Sequence, residues 1–129
     1  MIETVIIGAG GHAAEIDEYI KYNQRLTGVH IFQVIGFLDD NPDNYKRYRF
    51  SAPLIGNVKD HCVIEGMNYI IGIASLKYRR PIVEDFMAKG GQFAPLIHHN
   101  AYISESASVG EGSIIGPNAT IGPNVRIGS

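Results

Sequence analysis

The sequence has little with which to staple, anchor or charge itself. It holds one cysteine, Cys62, so no internal disulfide can form, and the thiol reads as a small packing residue. No stretch approaches the roughly 18 apolar residues that a membrane-spanning helix needs. No secretory leader opens the chain either: Glu3 stands where such a leader is basic, and the apolar run Val5–Ile7 is short. Net charge is small, with 11 Lys and Arg against 13 Asp and Glu, which argues against a broad nucleic-acid footprint. Together these absences imply a cytoplasmic protein, and 129 residues suffice for one ordinary domain.

Two kinds of chemistry are also missing. No serine, cysteine or lysine stands in a pattern that suggests a nucleophile, its base and an orienting group. His98 and His99 are adjacent, but neighbours on an extended segment point to opposite faces, and no cysteine or carboxylate cluster accompanies them. The expectation is therefore no catalytic residue and no metal site in this chain.

What is present falls into two regimes. Residues 1–95 read as a mixed α/β unit. Residues 3–8, "ETVIIG", are short, apolar and β-branched, as a buried strand is. A helix is predicted over 12–26, with Ala13, Ile16, Tyr19 and Ile20 at helical spacing and Gly28 as its stop. Residues 31–38 form a second strand closed by the turn-forming "DDNP" of 39–42. A loop then touches a short strand near Leu54–Ile55 and enters a short helix. Residues 68–74 make a third buried strand. Ile82, Val83, Phe86 and Met87 mark a last helix, which Pro81 would start near Arg80 and "KGG" of 89–91 would end. Alternating strands and helices predict a parallel sheet with helices on its faces, whose ligands bind at the carboxyl ends of the strands.

The second regime covers residues 96–129. Ile97, Ile103, Val109, Ile115, Ile121 and Ile127 recur every six residues, and Ala101, Ala107, Ser113, Ala119 and Val125 follow four places after an aliphatic. That period is the hexapeptide signature of a parallel β-helix, with one hexad per face of a triangular prism, the aliphatic inward and Gly or Asn at the turn. Three hexads make a coil, so the chain holds fewer than two coils. Since such repeats need stacked neighbours, the expectation is a fragment of a longer protein, or a coil edge covered by another chain.

The chemistry-bearing positions cluster after the strands. "GAGGHA" (8–13) fits the G-x-G-x-x-G/A pattern, in which glycines allow a tight turn and a close approach to phosphate at a helix N-terminus. The alternative is a glycine turn needed only for packing. Asp39 and Asp40 end the second strand, where a carboxylate can accept ribose hydroxyls, although adjacent acids before Asn41–Pro42 also form ordinary turns. His12 would face the same phosphate. Lys77, Arg79 and Arg80 follow the third strand and either reach an anionic ligand or form a solvated run.

"IIGAGGHAAEI", "GFLDD", "IGIASLKYR" and "LIHHNAYISESASVGEG", followed by hexapeptides, resemble the nucleotide-sugar acetyltransferases that act on amino sugars. These include enzymes of pilin and protein glycosylation, perosamine synthesis and sialic acid O-acetylation. The resemblance covers essentially the whole chain. It implies a small Rossmann-like parallel-sheet domain that binds a UDP- or GDP-linked amino sugar. It also implies the first coils of a left-handed parallel β-helix, a homotrimer, and acetyl-CoA bound between subunits. Gly10, Gly11 and His12 would lie by the phosphates of the nucleotide sugar, and Asp39 and Asp40 would hold the nucleoside. Ala74 and Ser75 stand where the family has Gly-Asn, and "IHHNA" lacks the proline often found after its first histidine. The family's catalytic histidine and most of its acetyl-CoA surface would fall beyond Ser129, so residues 1–129 alone are expected to be inactive. The alternatives are a non-catalytic nucleotide-sugar-binding or assembly module, and an NAD-dependent oxidoreductase. The oxidoreductase fits the glycine loop but has too few strands, and hexapeptides play no part in hydride transfer.

Overall fold

A computed structural model describes residues 1–128. Four strands, β1 (Ile2–Ile7), β2 (Phe32–Leu38), β3 (Leu54–Gly56) and β4 (Asn68–Ile71), form one parallel sheet in the order β3-β2-β1-β4. Parallel strands are buried on both faces, so their sequences run nearly all apolar. Ile6, Phe37 and Ile70 pack on one face against Ala13, Ile16 and Ile20 of helix α1 (Gly11–Thr27). Val5, Ile7, Leu38, Tyr69 and Ile71 pack on the other against Phe86 of α3 (Leu76–Ala88). Alternation along β1 thus assigns each side chain to one helix. A fully buried aliphatic of this kind contributes about 1.5–3 kcal/mol.

α1 matches its predicted span. Its buried positions follow the helical period, and Gly28 closes it at φ 71° with its N–H on the Gln24 carbonyl. α3 differs: it begins at Leu76, not near Arg80, and Pro81 lies inside it. The Ser75 carbonyl accepts from the Tyr78 and Arg79 N–H groups and so starts the helix earlier. The proline then removes one bond from an exposed second turn, a loss the helix tolerates because Ile82, Val83 and Phe86 pack below it. The region after β2 also departs from expectation. The "DDNP" cluster opens a one-turn helix, α2 (Pro42–Tyr45), whose Asn41 side chain accepts the Asp43 N–H at 3.0 Å. Among the described residues no helix lies between β3 and β4, where a short one was expected. The chain crosses to β4 through turns, one pinned by the Asp40 carboxylate. Cys62, expected to pack, is exposed on this crossing.

From Leu96 the chain winds into coils of three short strands. β5 (Leu96–Ile97), β6 (Tyr102–Ile103) and β7 (Ser108–Val109) pair in parallel with β8 (Ile114–Ile115), β9 (Thr120–Ile121) and β10 (Arg126–Ile127), each with the strand three hexads later. The period-six reading thus becomes the pairing register. The left-handed backbone falls on Gly112, Asn118 and Asn124, at φ 75°, 62° and 61°. The corner residue is therefore six apart as well, and only glycine or asparagine takes it readily.

The coil is fastened to the sheet domain by α1 and α3. Asn23 donates to the Ile97 carbonyl at 2.9 Å and accepts the His99 N–H at 2.7 Å. Arg79 of α3, a candidate for an anionic ligand, instead donates to the Gly112 carbonyl at 2.7 Å. His98 is buried and His99 exposed. The His98 ring stacks on Tyr22 and meets Tyr19 edge-on, and its Nδ1 accepts the Asn100 N–H at 3.1 Å. That bond needs Nδ1 unprotonated. Burial first, and His99 second, hold the His98 pKa below its usual 6.5. Burial does the same to His61, which bonds the Tyr69 hydroxyl at 2.8 Å. A histidine depressed in the fold leaves the unfolded chain to take the proton first. Its stability contribution is therefore present above about pH 6.5 and lost as pH falls below that and through the folded pKa. The urea midpoint should drop between about pH 7.5 and 5, with a shallower drop in His98→Asn. Equal wild-type midpoints at both ends of that range would refute the coupling.

Candidate functional site

The carboxyl ends of β1, β2 and β4 meet at the glycine loop. Gly8 turns the chain at φ 102°, and a Cβ there would stand 2.9 Å from the Gly72 carbonyl oxygen. Gly72, after β4, is as tightly held: a Cβ on it would meet the Ala13 Cβ at 2.8 Å and the Ile7 oxygen at 2.9 Å. These two glycines let the strand ends and α1 close together, which is the packing role of a glycine turn. Gly10 is different. It has an ordinary φ of −93°, and nothing stands within 4 Å of where its Cβ would be. Its bareness leaves room for an approach from outside the chain.

Past Gly10 the backbone offers donors. Gly10 is the N-cap of α1 and supplies no side chain to cap it. The Gly10 carbonyl accepts the Ala14 N–H, while the Gly11, His12 and Ala13 N–H groups make no hydrogen bond among the described residues. Free amides at the positive end of a 17-residue helix form an anion-binding geometry. His12 stands on this first turn, half-buried, with no hydrogen bond to its ring among the described residues.

Asp39 and Asp40 do come to the same edge, yet they do different things. The Asp39 Oδ2 accepts the Ala9 N–H at 2.8 Å, and its Oδ1 accepts the Asn41 N–H at 2.8 Å. Asn44 Nδ2 donates to both oxygens, at 3.3 and 3.4 Å. Asp39 is thus the peg that holds the glycine loop against β2. Asp40 Oδ1 accepts the Val58 and Lys59 N–H groups, and its Oδ2 carries no hydrogen bond among the described residues. Of the pair, Asp40 keeps an exposed acceptor. Ala74 and Ser75 are exposed between β4 and α3, the Ser75 hydroxyl making no cap to its helix.

Residues that sequence reasoning missed lie around this loop. Asn44 steadies Asp39, and Asp17, 1% exposed, accepts the Ser51 N–H and hydroxyl at 2.9 and 2.6 Å. Asp17 occupies an apolar position of the α1 period, and a charge there was the available sign of a buried partner. Two grooves lie away from the loop. One, of about 470 Å³, runs between α1 and the first coil past Ile20, Asn23 and Ile103. The other, of about 880 Å³, runs between α3 and the second coil past Lys77, Arg80, Ile114 and Ile127. Neither groove is lined by the glycine loop.

The parallel sheet with its glycine loop continues into hexapeptide coils: a Rossmann-like domain followed by the start of a left-handed parallel β-helix. The chain belongs to the PglD N-terminal domain family, matched over residues 3–86, and residues 94–129 match the bacterial transferase hexapeptide (six repeats) family. No curated protein matches the chain. Among solved structures it is similar to PerB from Caulobacter crescentus, in complex with CoA and GDP-perosamine. That likeness has 23% identity and a TM-score of 0.75, and covers 98% of this chain and 57% of PerB. It is also similar to the acetyltransferase domain of PglB from Neisseria gonorrhoeae, in complex with acetyl coenzyme A. There the identity is 25% and the TM-score 0.78, covering 98% of this chain and 58% of that one. The chain therefore spans somewhat over half the length of these proteins. Among the described residues, no helix is long and apolar enough to cross a membrane.

Proposed function

We propose that the chain is the nucleotide-sugar-binding portion of an acetyl-CoA-dependent acetyltransferase that acts on a UDP- or GDP-linked amino sugar and assembles as a homotrimer. The observation that carries this reading is the row of free amides at Gly11, His12 and Ala13 beside the uncrowded Gly10. A phosphate that approaches beside Gly10 would meet these donors and the positive end of the helix dipole. Gly10, Gly11 and His12 then contact the phosphates, Asp40 accepts nucleoside hydroxyls through Oδ2, and Asp39 acts by holding the loop. The Ala74–Ser75 edge faces the rest of the ligand. The PerB complex with GDP-perosamine and CoA supports an amino-sugar nucleotide as acceptor, and the PglB complex supports acetyl-CoA as donor.

Within this reading the chain binds and orients. Acetyl-CoA would supply the acyl group: the amine or hydroxyl of the sugar attacks the thioester carbonyl, the C–S bond breaks, and CoA leaves as the thiol with the proton the nucleophile loses. Among the described residues no histidine pairs with a carboxylate, so no proton transfer is assigned to them. Calorimetric titration with UDP, GDP and NAD tests the reading. The expected result is saturable binding of UDP or GDP, weakened about tenfold in Asp40→Ala through loss of one hydrogen-bond acceptor. Binding of NAD alone would return the glycine loop to oxidoreductase chemistry and overturn the proposal.

A further inference from the structure

Residues 57–67, the crossing from β3 to β4, are fastened to the sheet at two places. The Asp40 carboxylate takes the Val58 and Lys59 N–H groups at 2.8 and 3.1 Å. Further along, the Tyr69 hydroxyl of β4 takes the Ile64 N–H at 3.1 Å and meets His61 Nε2 at 2.8 Å. Between the two, Asn57 and Asp60 close a turn on each other. The Asp60 N–H donates to Asn57 Oδ1, and Asn57 Nδ2 donates to the Asp60 carboxylate. A short turn, pinned at both ends, thus joins Asp40 to His61.

The direction of the His61 bond follows from counting donors. Tyr69 is fully buried, and burial raises its pKa against a smaller lowering by the Ile64 N–H, so the phenol keeps its proton. Its oxygen already accepts from Ile64. The O–H therefore donates to His61 Nε2, and the ring proton of the neutral histidine sits on Nδ1. A second proton reverses this. Nε2–H then points at the hydroxyl, and the buried Tyr69 O–H loses its acceptor. No nearby charge compensates. From α3 the ring is faced by Phe86, stacked at 5.9 Å between centroids, and Asp85 of that helix is exposed and paired with Lys89. Lys59, Asp60, Cys62 and Glu65 of the crossing are exposed, and no ion pair reaches His61 among the described residues.

We infer that His61 is a positioning residue for Asp40: neutral, it clasps the crossing to Tyr69 and so holds the two amides that orient the Asp40 carboxylate; protonated, it releases them. This rests on the reading of Asp40 as a nucleoside contact. The clasp keeps Asp40 Oδ2 a fixed acceptor near neutral pH and makes nucleotide affinity fall with acid.

The test compares wild type, His61→Gln and His61→Leu by calorimetric titration with UDP and GDP from about pH 8 to about pH 5, with a thermal melt of each sample. Glutamine offers Tyr69 an acceptor that does not titrate, and leucine offers none. At the upper pH, His61→Leu should raise the Kd for the diphosphate that wild type binds about fivefold, part of the cost of a buried donor without a partner, and His61→Gln should hold it within about twofold. Toward the lower pH, wild type should lose about fivefold more affinity than His61→Gln. Every other titrating group, the ligand phosphates included, is common to both proteins, so the difference reports His61. Parallel pH profiles of wild type and His61→Gln overturn this inference and leave the nucleotide site standing; that comparison is complete even where His61→Leu does not fold. A His61→Gln protein as weak as His61→Leu at the upper pH overturns it too, because the ring stacked on Phe86, and not the bond, would then be what matters. A wild type that melts cooperatively and binds neither nucleotide overturns the reading beneath it, and the inference with it.

Discussion

Phe37→Ala is expected to remove about 3–5 kcal/mol of folding stability, set against a typical total of about 5–15 kcal/mol. Phe37 lies on β2 at the middle of the sheet, fully buried. Its ring also packs beside those of Phe50 and Tyr45, with centroids 4.6 and 6.3 Å away. Truncation opens a cavity that neighbouring strands cannot collapse into, because backbone pairing fixes their spacing. Urea denaturation followed by far-ultraviolet circular dichroism checks the figure. A midpoint shift equivalent to less than about 1 kcal/mol would mean that the β2 face is not packed as described.

Gly8→Ala should follow, with a loss of about 2–4 kcal/mol from two separate sources. Its φ of 102° is a backbone conformation that an L side chain rarely adopts. Its Cβ would also press on the Gly72 carbonyl, a backbone atom that cannot rotate away. Relief of the clash requires β1 and β4 to part at their carboxyl ends, where the candidate site lies. The same denaturation series measures it. A Gly8→Ala protein as stable as wild type would contradict the close approach of the loop to β4.

Much of this was legible in the sequence because it rests on period. The aliphatic every sixth residue from Ile97 to Ile127 became the pairing of each short strand with the one three hexads on. The helical spacing of Ala13, Ile16 and Ile20 became the face of α1, with Gly28 as its stop. Properties set by tertiary contact were not legible. Pro81 reads as a helix start, yet the carbonyl of Ser75 starts the helix earlier because the residues beyond the proline have a core to pack on. Asp39 and Asp40 read alike, since adjacency says nothing of which carboxylate turns inward; the Ala9 and Asn44 donors decide that. Cys62 reads as a packing residue from its type alone, and the turns that replace a helix after β3 leave it exposed.

The central claim is that Gly10 is bare for a ligand while Gly8 is bare for packing. Gly10→Ala tests it most directly, by titration with UDP and GDP and by denaturation of the same samples. Its φ suits alanine and its surroundings are empty, so stability should stay within about 0.5 kcal/mol of wild type. On the proposed reading nucleotide affinity should fall at least tenfold, because the methyl group would stand where a bound phosphate approaches. A Gly10→Ala protein that keeps both its stability and its full nucleotide affinity would contradict the account.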